Sequence, residues 1–211
     1  MKLYGYWRSS AAFRIRIALN LKGLRYENIP VHLLRDGGEQ NKADYLALNP
    51  QGRVPTLADG ELVLAQSMAI LEYLEEQYPA PPLLPKDAGG RARARQIALA
   101  VACDIHPLNN LRVLQYLEKQ LGIAEPARDA WVQHWIRDGL TAVEKLVLAS
   151  GPCALGETVT LADVMLIPQI YNARRFKTPL DDCPRLLAIE RHCLALPAFD
   201  NALPEKQPDA A

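Results

Sequence analysis

Residues Tyr6–Leu19 read YWRSSAAFRIRIAL, and this stretch decides the fold. The segment that leads into it, Lys2–Tyr6, alternates apolar and polar residues around aromatics and predicts a short strand. Ser9 and Ser10 are good N-cap residues, and apolar residues then recur every four positions as one helical face. That face consists of Phe13, Ile17 and Leu21. A helix start of this kind points unpaired N–H groups and a positive dipole end at the loop, which suits an anion such as a thiolate.

The composition excludes several classes of protein. Of the 211 residues 49% are hydrophobic and 23% are charged, which is typical of a soluble globular protein with one or two domains. The 24 Lys and Arg balance the 24 Asp and Glu, so we expect neither a nucleic-acid partner nor a membrane surface. No apolar run approaches the roughly 20 residues of a membrane span. The four cysteines show neither CxxC nor metal spacing, so we expect a cytoplasmic protein without a metal site.

Strand and helix signals alternate through residues 1–80. A two-residue hairpin signal, Asp59-Gly60, separates the last two strands. The first strand, helix and second strand predict a right-handed parallel crossover, and the hairpin is antiparallel, so the sheet should be mixed. After the first helix, the pattern predicts strands at Arg25–Val31, Val54–Ala58 and Glu61–Leu64, and a helix at Gln66–Gln77.

A proline-rich linker, Pro79–Pro85, ends this region, and the strand signals then vanish. We therefore predict an α/β domain over residues 1–80 and an all-helical domain over residues 87–211. Thr160 and Asp163 form a capping-box variant with a structural role, and we expect the tail after Pro204 to be flexible. Four helices are predicted: Arg91–Leu121 with a kink at His106-Pro107, Pro126–Leu148, Leu161–Arg174 and Pro184–Leu194.

The stretch after the first strand resembles the zeta class of glutathione transferases, whose motif there is Ser-Ser-x-x-aromatic-Arg-x-Arg-Ile-Ala-Leu. The resemblance recurs in the same order along nearly the whole chain. The further motifs are NPQGRVPTL at 49–57, QSMAI at 66–70, DIHPLNN at 104–110, TLAD at 160–163 and RRFK at 174–177. One departure is clear: the family usually has Cys directly after the two serines, and this chain has Ala11.

The resemblance implies a glutathione transferase fold, in which a thioredoxin-like domain with a mixed sheet precedes a helical bundle. It also implies that the cofactor is glutathione. Ser9 or Ser10 would donate a hydrogen bond to its sulfur, and Ser9 is favoured by its position in the motif. Val54, before a cis Pro55, would pair with its cysteinyl backbone. Gln66 and Ser67 would hold its γ-glutamyl carboxylate at a helix start. Gln51 belongs to the same binding set.

The resemblance assigns the substrate to arginines. Arg8 and Arg175 match the substrate-side arginines of the zeta class and would clamp carboxylates in a bidentate manner. Arg112 could join them or could face solvent. His106 and Asn110 lie where the family closes over glutathione, and they either bind it or only pack. The family also implies a homodimer.

The activity implied is the cis–trans isomerisation of maleylacetoacetate to fumarylacetoacetate. A glutathione thiolate would add to the double bond of this small dicarboxylic substrate, the bond would rotate, and elimination would restore glutathione. Three alternatives stay open at this point. The substrate could be maleylpyruvate, the protein could be a general glutathione transferase or α-haloacid dehalogenase, or the fold could be a non-catalytic interaction module.

Overall fold

The computed structural model describes residues 1–210, which fall into two compact units. One unit comprises Met1–Pro82 together with residues 195–210, and the other is Leu83–Leu194. The helical domain expected from the sequence ran to residue 211. The contacts of residues 195–210 instead group this segment with the N-terminal unit, because α1 (Ser10–Leu21) packs against its short helix Pro197–Asp200.

The N-terminal unit contains the predicted mixed four-stranded sheet. The strands lie in the order β2-β1-β3-β4. β1 pairs in parallel with β2, and β3 pairs in antiparallel fashion with both β1 and β4, so the predicted parallel pairing and antiparallel hairpin are confirmed. The elements are β1 (Lys2–Gly5), α1 (Ser10–Leu21), β2 (Glu27–Pro30), α2 (Ala43–Leu48), β3 (Thr56–Asp59), β4 (Leu62–Ala65) and α3 (Ser67–Gln77).

Helix α1 is buried on every side, whereas the sequence predicted one apolar face. Every residue from Ser10 to Leu19 is buried, including Ile15, which lies off the predicted face. The helix packs against α3 and against the C-terminal segment, where Asn20 donates to the Ala198 carbonyl. A helix covered on two sides loses the amphipathic signature on which the sequence analysis depended.

Helix α2 was not predicted, because it is only six residues long and has no apolar period. Its place is secured by Tyr45, whose ring is buried. The Tyr45 hydroxyl donates to the Arg53 carbonyl at 2.6 Å and lies 2.9 Å from Thr56 Oγ1. This helix therefore supports the loop that leads into β3.

The C-terminal tail is held in place, although the sequence predicted a flexible segment. Asp209 accepts hydrogen bonds from the Trp7 N–H at 2.9 Å and from Asn28 Nδ2 at 3.4 Å. A 3₁₀ turn, Pro204–Lys206, precedes it. The partners of Asp209 lie about 180 or more positions away in sequence, so no local pattern could reveal them.

The second unit consists of helices, and its first part differs from the prediction. The sequence predicted a single kinked helix over Arg91–Leu121. The structure instead has an α-helix, a π-helix at Ala100–Ile105, a 3₁₀ turn at His106–Asn109 and then a second α-helix. Asn110 then adopts an extended conformation (φ −72°, ψ 147°), which ends the helical path. The helices of this unit are α4 (Ala88–Leu99), α5 (Leu111–Lys119), α6 (Glu125–Glu144), α7 (Leu161–Arg175) and α8 (Pro184–Leu194). The Pro197–Asp200 helix of the other unit is α9.

The predicted capping box at the start of α7 is confirmed. Both halves are present: the Thr160 side chain accepts from the first turn, and Asp163 accepts from the Thr160 N–H at 2.8 Å. Asp163 also accepts from the Ala154 N–H at 2.7 Å and from the Thr160 hydroxyl at 3.1 Å. Burial raises the pKa of this carboxyl, and the hydrogen bonds it accepts oppose that change.

We expect Asp163→Asn to lower the free energy of unfolding by about 1–3 kcal/mol, because the amide offers one acceptor oxygen where the carboxylate uses two. Urea denaturation would measure the loss. Asp181→Asn, at an exposed position of the same unit, is the matched control and should change stability by less than about 0.5 kcal/mol. Equal losses in the two variants would contradict the capping role.

Candidate functional site

Strand register brings three loops of the N-terminal unit to one edge of its sheet. Thr56, the first residue of β3, pairs with Tyr4 near the end of β1 and with Ala65 at the end of β4. In antiparallel pairs the end of one strand lies beside the start of the next. The loop after β1, the Val54-Pro55 segment before β3 and the start of α3 after β4 therefore meet at this edge.

The segment before β3 presents its backbone without a partner. The Val54-Pro55 peptide bond is cis, as the resemblance implied. Asn49 is buried and holds the turn, since it donates to the Arg53 carbonyl at 2.7 Å and accepts from the Gln51 N–H at 3.1 Å. Among residues 1–210 no group hydrogen-bonds the N–H or the C=O of Val54. Both groups are available to an added strand.

Helix α1 begins at the loop after β1, with Ser9 as its N-cap. The Ser9 Oγ accepts from the Ala12 N–H at 3.2 Å, which leaves the hydroxyl proton available for another acceptor. Ser10 is buried and Ser9 is half-buried. No group in the described part of the chain accepts from the N–H of Ser10 or Ala11. The helix start thus offers a hydroxyl, two N–H groups and the positive end of its dipole.

Helix α3 begins at the third loop without a side-chain cap. Its N-cap residue, Gln66, has φ +71° and makes no capping hydrogen bond. Instead Gln66 Nε2 donates to Gln51 Oε1 at 2.6 Å, so the structure brings these two predicted residues together. No acceptor within residues 1–210 faces the N–H of Ser67 or Met68. An uncapped helix start of this kind is suited to a carboxylate.

Arg14 is a buried residue beside Ser67 that the sequence analysis did not single out. It belongs to the quoted motif, and a basic residue in an otherwise apolar helix is the signal that could have found it. The side chain is buried, and its Nη1 donates to the Ser67 hydroxyl oxygen at 3.0 Å. Burial lowers the pKa of the Arg14 guanidinium to about 10, so the group remains charged at neutral pH.

Arg8, in the loop that precedes Ser9, is half-buried and stacks on its neighbour. Its guanidinium carbon lies 5.2 Å from the centroid of the Trp7 ring. No carboxylate in the described part of the chain pairs with Arg8. Stacking on an aromatic face orients a guanidinium while its donors stay available.

The second unit carries the remaining two arginines of the prediction. Arg175 is the last residue of α7, is exposed, and lies with its guanidinium carbon 4.8 Å from the Phe176 ring centroid. Its neighbour Arg174 makes a bidentate ion pair with Glu190, which assigns that residue to structure. Arg112 is exposed in the first turn of α5.

His106 and Asn110 lie at the two ends of the irregular segment between the π-helix and α5. π-helical segments are rare and are frequent at functional sites. Asn110 is the N-cap of α5 and accepts from the Arg112 N–H at 3.2 Å, which is a structural role. The nearby Asn109 is buried between Ile105 and Asn172, with both of which it hydrogen-bonds. Binding of glutathione by His106 and Asn110 stays a prediction.

Three of the four cysteines are unsuited to replace the one that Ala11 removes from the motif. Burial raises the pKa of Cys153 and of Cys183 to about 11 and also raises that of Cys193, so these thiols are not nucleophilic at neutral pH. Cys103 is an exposed thiol of the other unit. Within residues 1–210 no cluster of His, Cys, Asp and Glu could hold a metal ion. No helix in that same range is long and apolar enough to cross a membrane.

Comparison with known proteins agrees with this geometry. Residues 1–76 match the family model of the glutathione S-transferase N-terminal domain. The chain is 52% identical over 209 residues to a probable maleylacetoacetate isomerase of Vibrio cholerae, and the match covers 99% of this chain and 97% of the relative.

Two solved structures are similar over the whole of both chains. One is the holo structure of a maleyl pyruvate isomerase, described as a bacterial glutathione S-transferase of the zeta class, with 50% identity and a TM-score of 0.97. The other is maleylacetoacetate isomerase from Methylobacterium extorquens AM1 with bound malonate and glutathione, with 42% identity and a TM-score of 0.95.

Proposed function

Because this chain belongs to the zeta class of the glutathione S-transferase family, we propose that it is a glutathione-dependent isomerase that converts maleylacetoacetate to fumarylacetoacetate. The observation that carries the proposal is the sheet edge at which two uncapped or partly capped helix starts and an unpaired backbone segment meet. Each of the three offers hydrogen-bonding groups that no part of the described chain uses.

The residues at this edge fit glutathione group by group. Val54 can pair with the backbone of its cysteinyl residue, as a peptide added to a strand would. Ser67, Gln66 and Gln51 lie together at the start of α3, where a carboxylate is favoured, and Arg14 supplies a buried positive charge beneath Ser67. His106 and Asn110 complete the binding set that we propose. A structure of a similar isomerase, from Methylobacterium extorquens AM1, holds glutathione.

When bound, glutathione supplies the thiolate that adds to the maleyl double bond and is released after that bond has rotated. The Ser9 hydroxyl donates a hydrogen bond toward the sulfur position, since its oxygen already accepts from Ala12. The Ser10 N–H and the dipole of α1 stabilise negative charge at the same place. Ser9 is favoured over Ser10 as the donor because Ser10 is buried.

We assign the carboxylates of the substrate to Arg8, Arg175 and Arg112. A maleyl substrate carries two acidic ends, and guanidinium groups bind carboxylates in a bidentate manner. The stacking of Arg8 on Trp7 and of Arg175 on Phe176 supports this assignment. Each contact already restricts the guanidinium, so less conformational entropy is lost when a carboxylate binds. Negative charge that develops on the substrate during addition would be stabilised by the same groups.

Maleylpyruvate is the second candidate substrate, and the comparisons do not favour it over maleylacetoacetate. The chain is 50% identical to a maleyl pyruvate isomerase over the full length of both chains. Both acids carry the maleyl group and two acidic ends. Comparing kcat/KM for the two acids would decide between them. No observation favours a general transferase, a haloacid dehalogenase or a non-catalytic module.

The location and assembly of the protein are also proposed. All four cysteines are free thiols, as expected in a reducing cytoplasm. A homodimer is supported by apolar side chains that the isolated chain exposes. Leu62 and Val63 are 41% and 40% exposed on β4, an edge strand of the sheet, and Leu99 is 43% exposed.

Sedimentation equilibrium should give a species of about twice the 23.5 kDa chain mass. Replacing Leu62 and Val63 by Lys should shift the population toward the monomer, because charged side chains on an edge strand oppose association. Lys at the exposed Leu34 is the control. A wild-type protein that sediments as a monomer at micromolar concentration would contradict the dimer.

Replacing both Ser9 and Ser10 by Ala should lower turnover of maleylacetoacetate at saturating glutathione by about 10²-fold or more, as the loss of one preorganised donor does elsewhere. Ser9→Ala alone should account for most of the loss. The fold should survive at a cost of about 1 kcal/mol for the missing cap. Ser150→Ala, in an exposed loop, is the control. Turnover close to that of the wild type in the double variant would refute the role.

Arg175→Ala should lower kcat/KM for maleylacetoacetate by the equivalent of about 1.5–3 kcal/mol, the value of a charge-assisted hydrogen bond, and should leave glutathione affinity unchanged. Arg175→Lys should restore only part of the loss, because an ammonium cannot form the bidentate contact. Arg191→Ala, an exposed arginine of α8, is the matched control. Loss of glutathione binding with unchanged substrate preference would reverse the assignment.

A further inference from the structure

Arg14 carries a buried charge that the described protein does not neutralise. The residue is 2% exposed, and its only hydrogen bond within the described part of the chain runs from Nη1 to Ser67 Oγ at 3.0 Å. Its Nε and Nη2 atoms are buried and have no hydrogen-bond partner among residues 1–210. No carboxylate within residues 1–210 pairs with it. Burying an unpaired charge is costly, so such an arrangement calls for a compensating group.

The other buried cations of the same unit are neutralised or fully hydrogen-bonded. Arg16, two positions along α1, donates to the carbonyls of Ala202 and Trp7. The Lys22 ammonium pairs with Glu75 at 2.9 Å and also donates to two backbone carbonyls. Arg14 differs from both, although all three residues lie in α1 or at its C-cap.

The hydrogen bond from Arg14 to Ser67 determines where the Ser67 hydroxyl can donate. A guanidinium has donors and no acceptor, so the Ser67 oxygen must accept from Arg14 and its own proton must point elsewhere. The neighbouring N–H groups of Ser67 and Met68 find no acceptor among the described residues, and Gln66 provides no cap. The start of α3 therefore presents several donors and a buried positive charge, an arrangement that suits an anion.

We propose that Arg14 is a positioning residue for a carboxylate that binds at the start of α3. Arg14 orients the Ser67 hydroxyl so that its proton can be donated to the carboxylate. Its own positive charge is compensated by the carboxylate. The inference rests on the proposed function, because the carboxylate is then the α-carboxylate of the γ-glutamyl group of glutathione. Arg14 acts through Ser67 and need not touch the ligand.

Calorimetric titration with two ligands tests the role. The ligands are glutathione and an analogue in which a 4-aminobutanoyl group replaces γ-glutamyl, so that only the α-carboxylate is missing. Arg14→Met should raise the Kd for glutathione about 10-fold or more and should barely change the Kd for the analogue. KM for glutathione should rise in parallel, while kcat at saturating glutathione is retained. Arg14→Lys should recover part of the affinity for glutathione and should not change the affinity for the analogue.

A double-mutant cycle tests whether Arg14 acts through Ser67. The combined variant Arg14→Met/Ser67→Ala should bind glutathione no more weakly than the worse of the two single variants, because residues in one hydrogen-bonded unit are not additive. Additive losses would overturn the coupling that the proposal requires.

Stability of the ligand-free protein separates positioning from structural support. Arg14→Met should unfold at the same or a higher temperature than the wild type, since an apolar side chain removes an unpaired buried charge. Arg16→Met, the matched control on the same helix, should unfold at a lower temperature because the Ala202 and Trp7 carbonyls lose their donor.

The outcomes that count against this inference differ from the one that counts against the proposed function. An Arg14→Met variant that loses the same factor for both ligands, or that is less stable than the Arg16→Met control, would assign Arg14 to structure. Unchanged glutathione affinity in Arg14→Met, with a wild type that binds glutathione, would overturn this inference and leave the proposed function intact. A wild type that binds neither ligand would overturn the proposed function itself.

Discussion

The pairing of β3 with both β1 and β4 is the constraint on which the candidate site depends. Thr56 faces Tyr4 on one side and Ala65 on the other, so the residues that follow β1 and β4 and those that precede β3 must lie at one edge. A slip of one position would turn each side chain to the opposite face of the sheet. The buried contact of Tyr45 with Thr56 holds this register from the side of α2.

This edge of the sheet favours negative charge partly because capping groups are few. Helices α1 and α3 both begin there. Gln66 makes no capping hydrogen bond, and the Ser9 side chain caps only the Ala12 N–H. Arg14 adds a charge that no carboxylate of the described chain neutralises. Buried donors without acceptors cost folding free energy, and natural proteins concentrate such costs where a ligand removes them.

The second unit shows how a local signal can mislead. The apolar pattern across residues 91–121 is continuous, and one kinked helix was the simplest interpretation. The structure changes from α to π at Ala100 and then to a 3₁₀ turn, where the buried Asn109 donates to the Ile105 carbonyl and accepts from Asn172 Nδ2. Asn172 lies 63 positions further along the chain. The periodicity of apolar residues within one segment cannot predict a contact over that distance.

The sequence by itself determined the strand, loop and helix of residues 2–21, the mixed sheet, the cis Val54-Pro55 bond through the family resemblance, and the capping box at Thr160. These features depend on neighbours within a few residues or on motifs that the family shares. Three features required the tertiary structure: α1 is buried on every side, Gln51 and Gln66 meet at 2.6 Å, and no carboxylate of the described chain pairs with Arg14. Each of these depends on groups that are distant in sequence, and a burial pattern reports which residues are apolar but not which partner covers them.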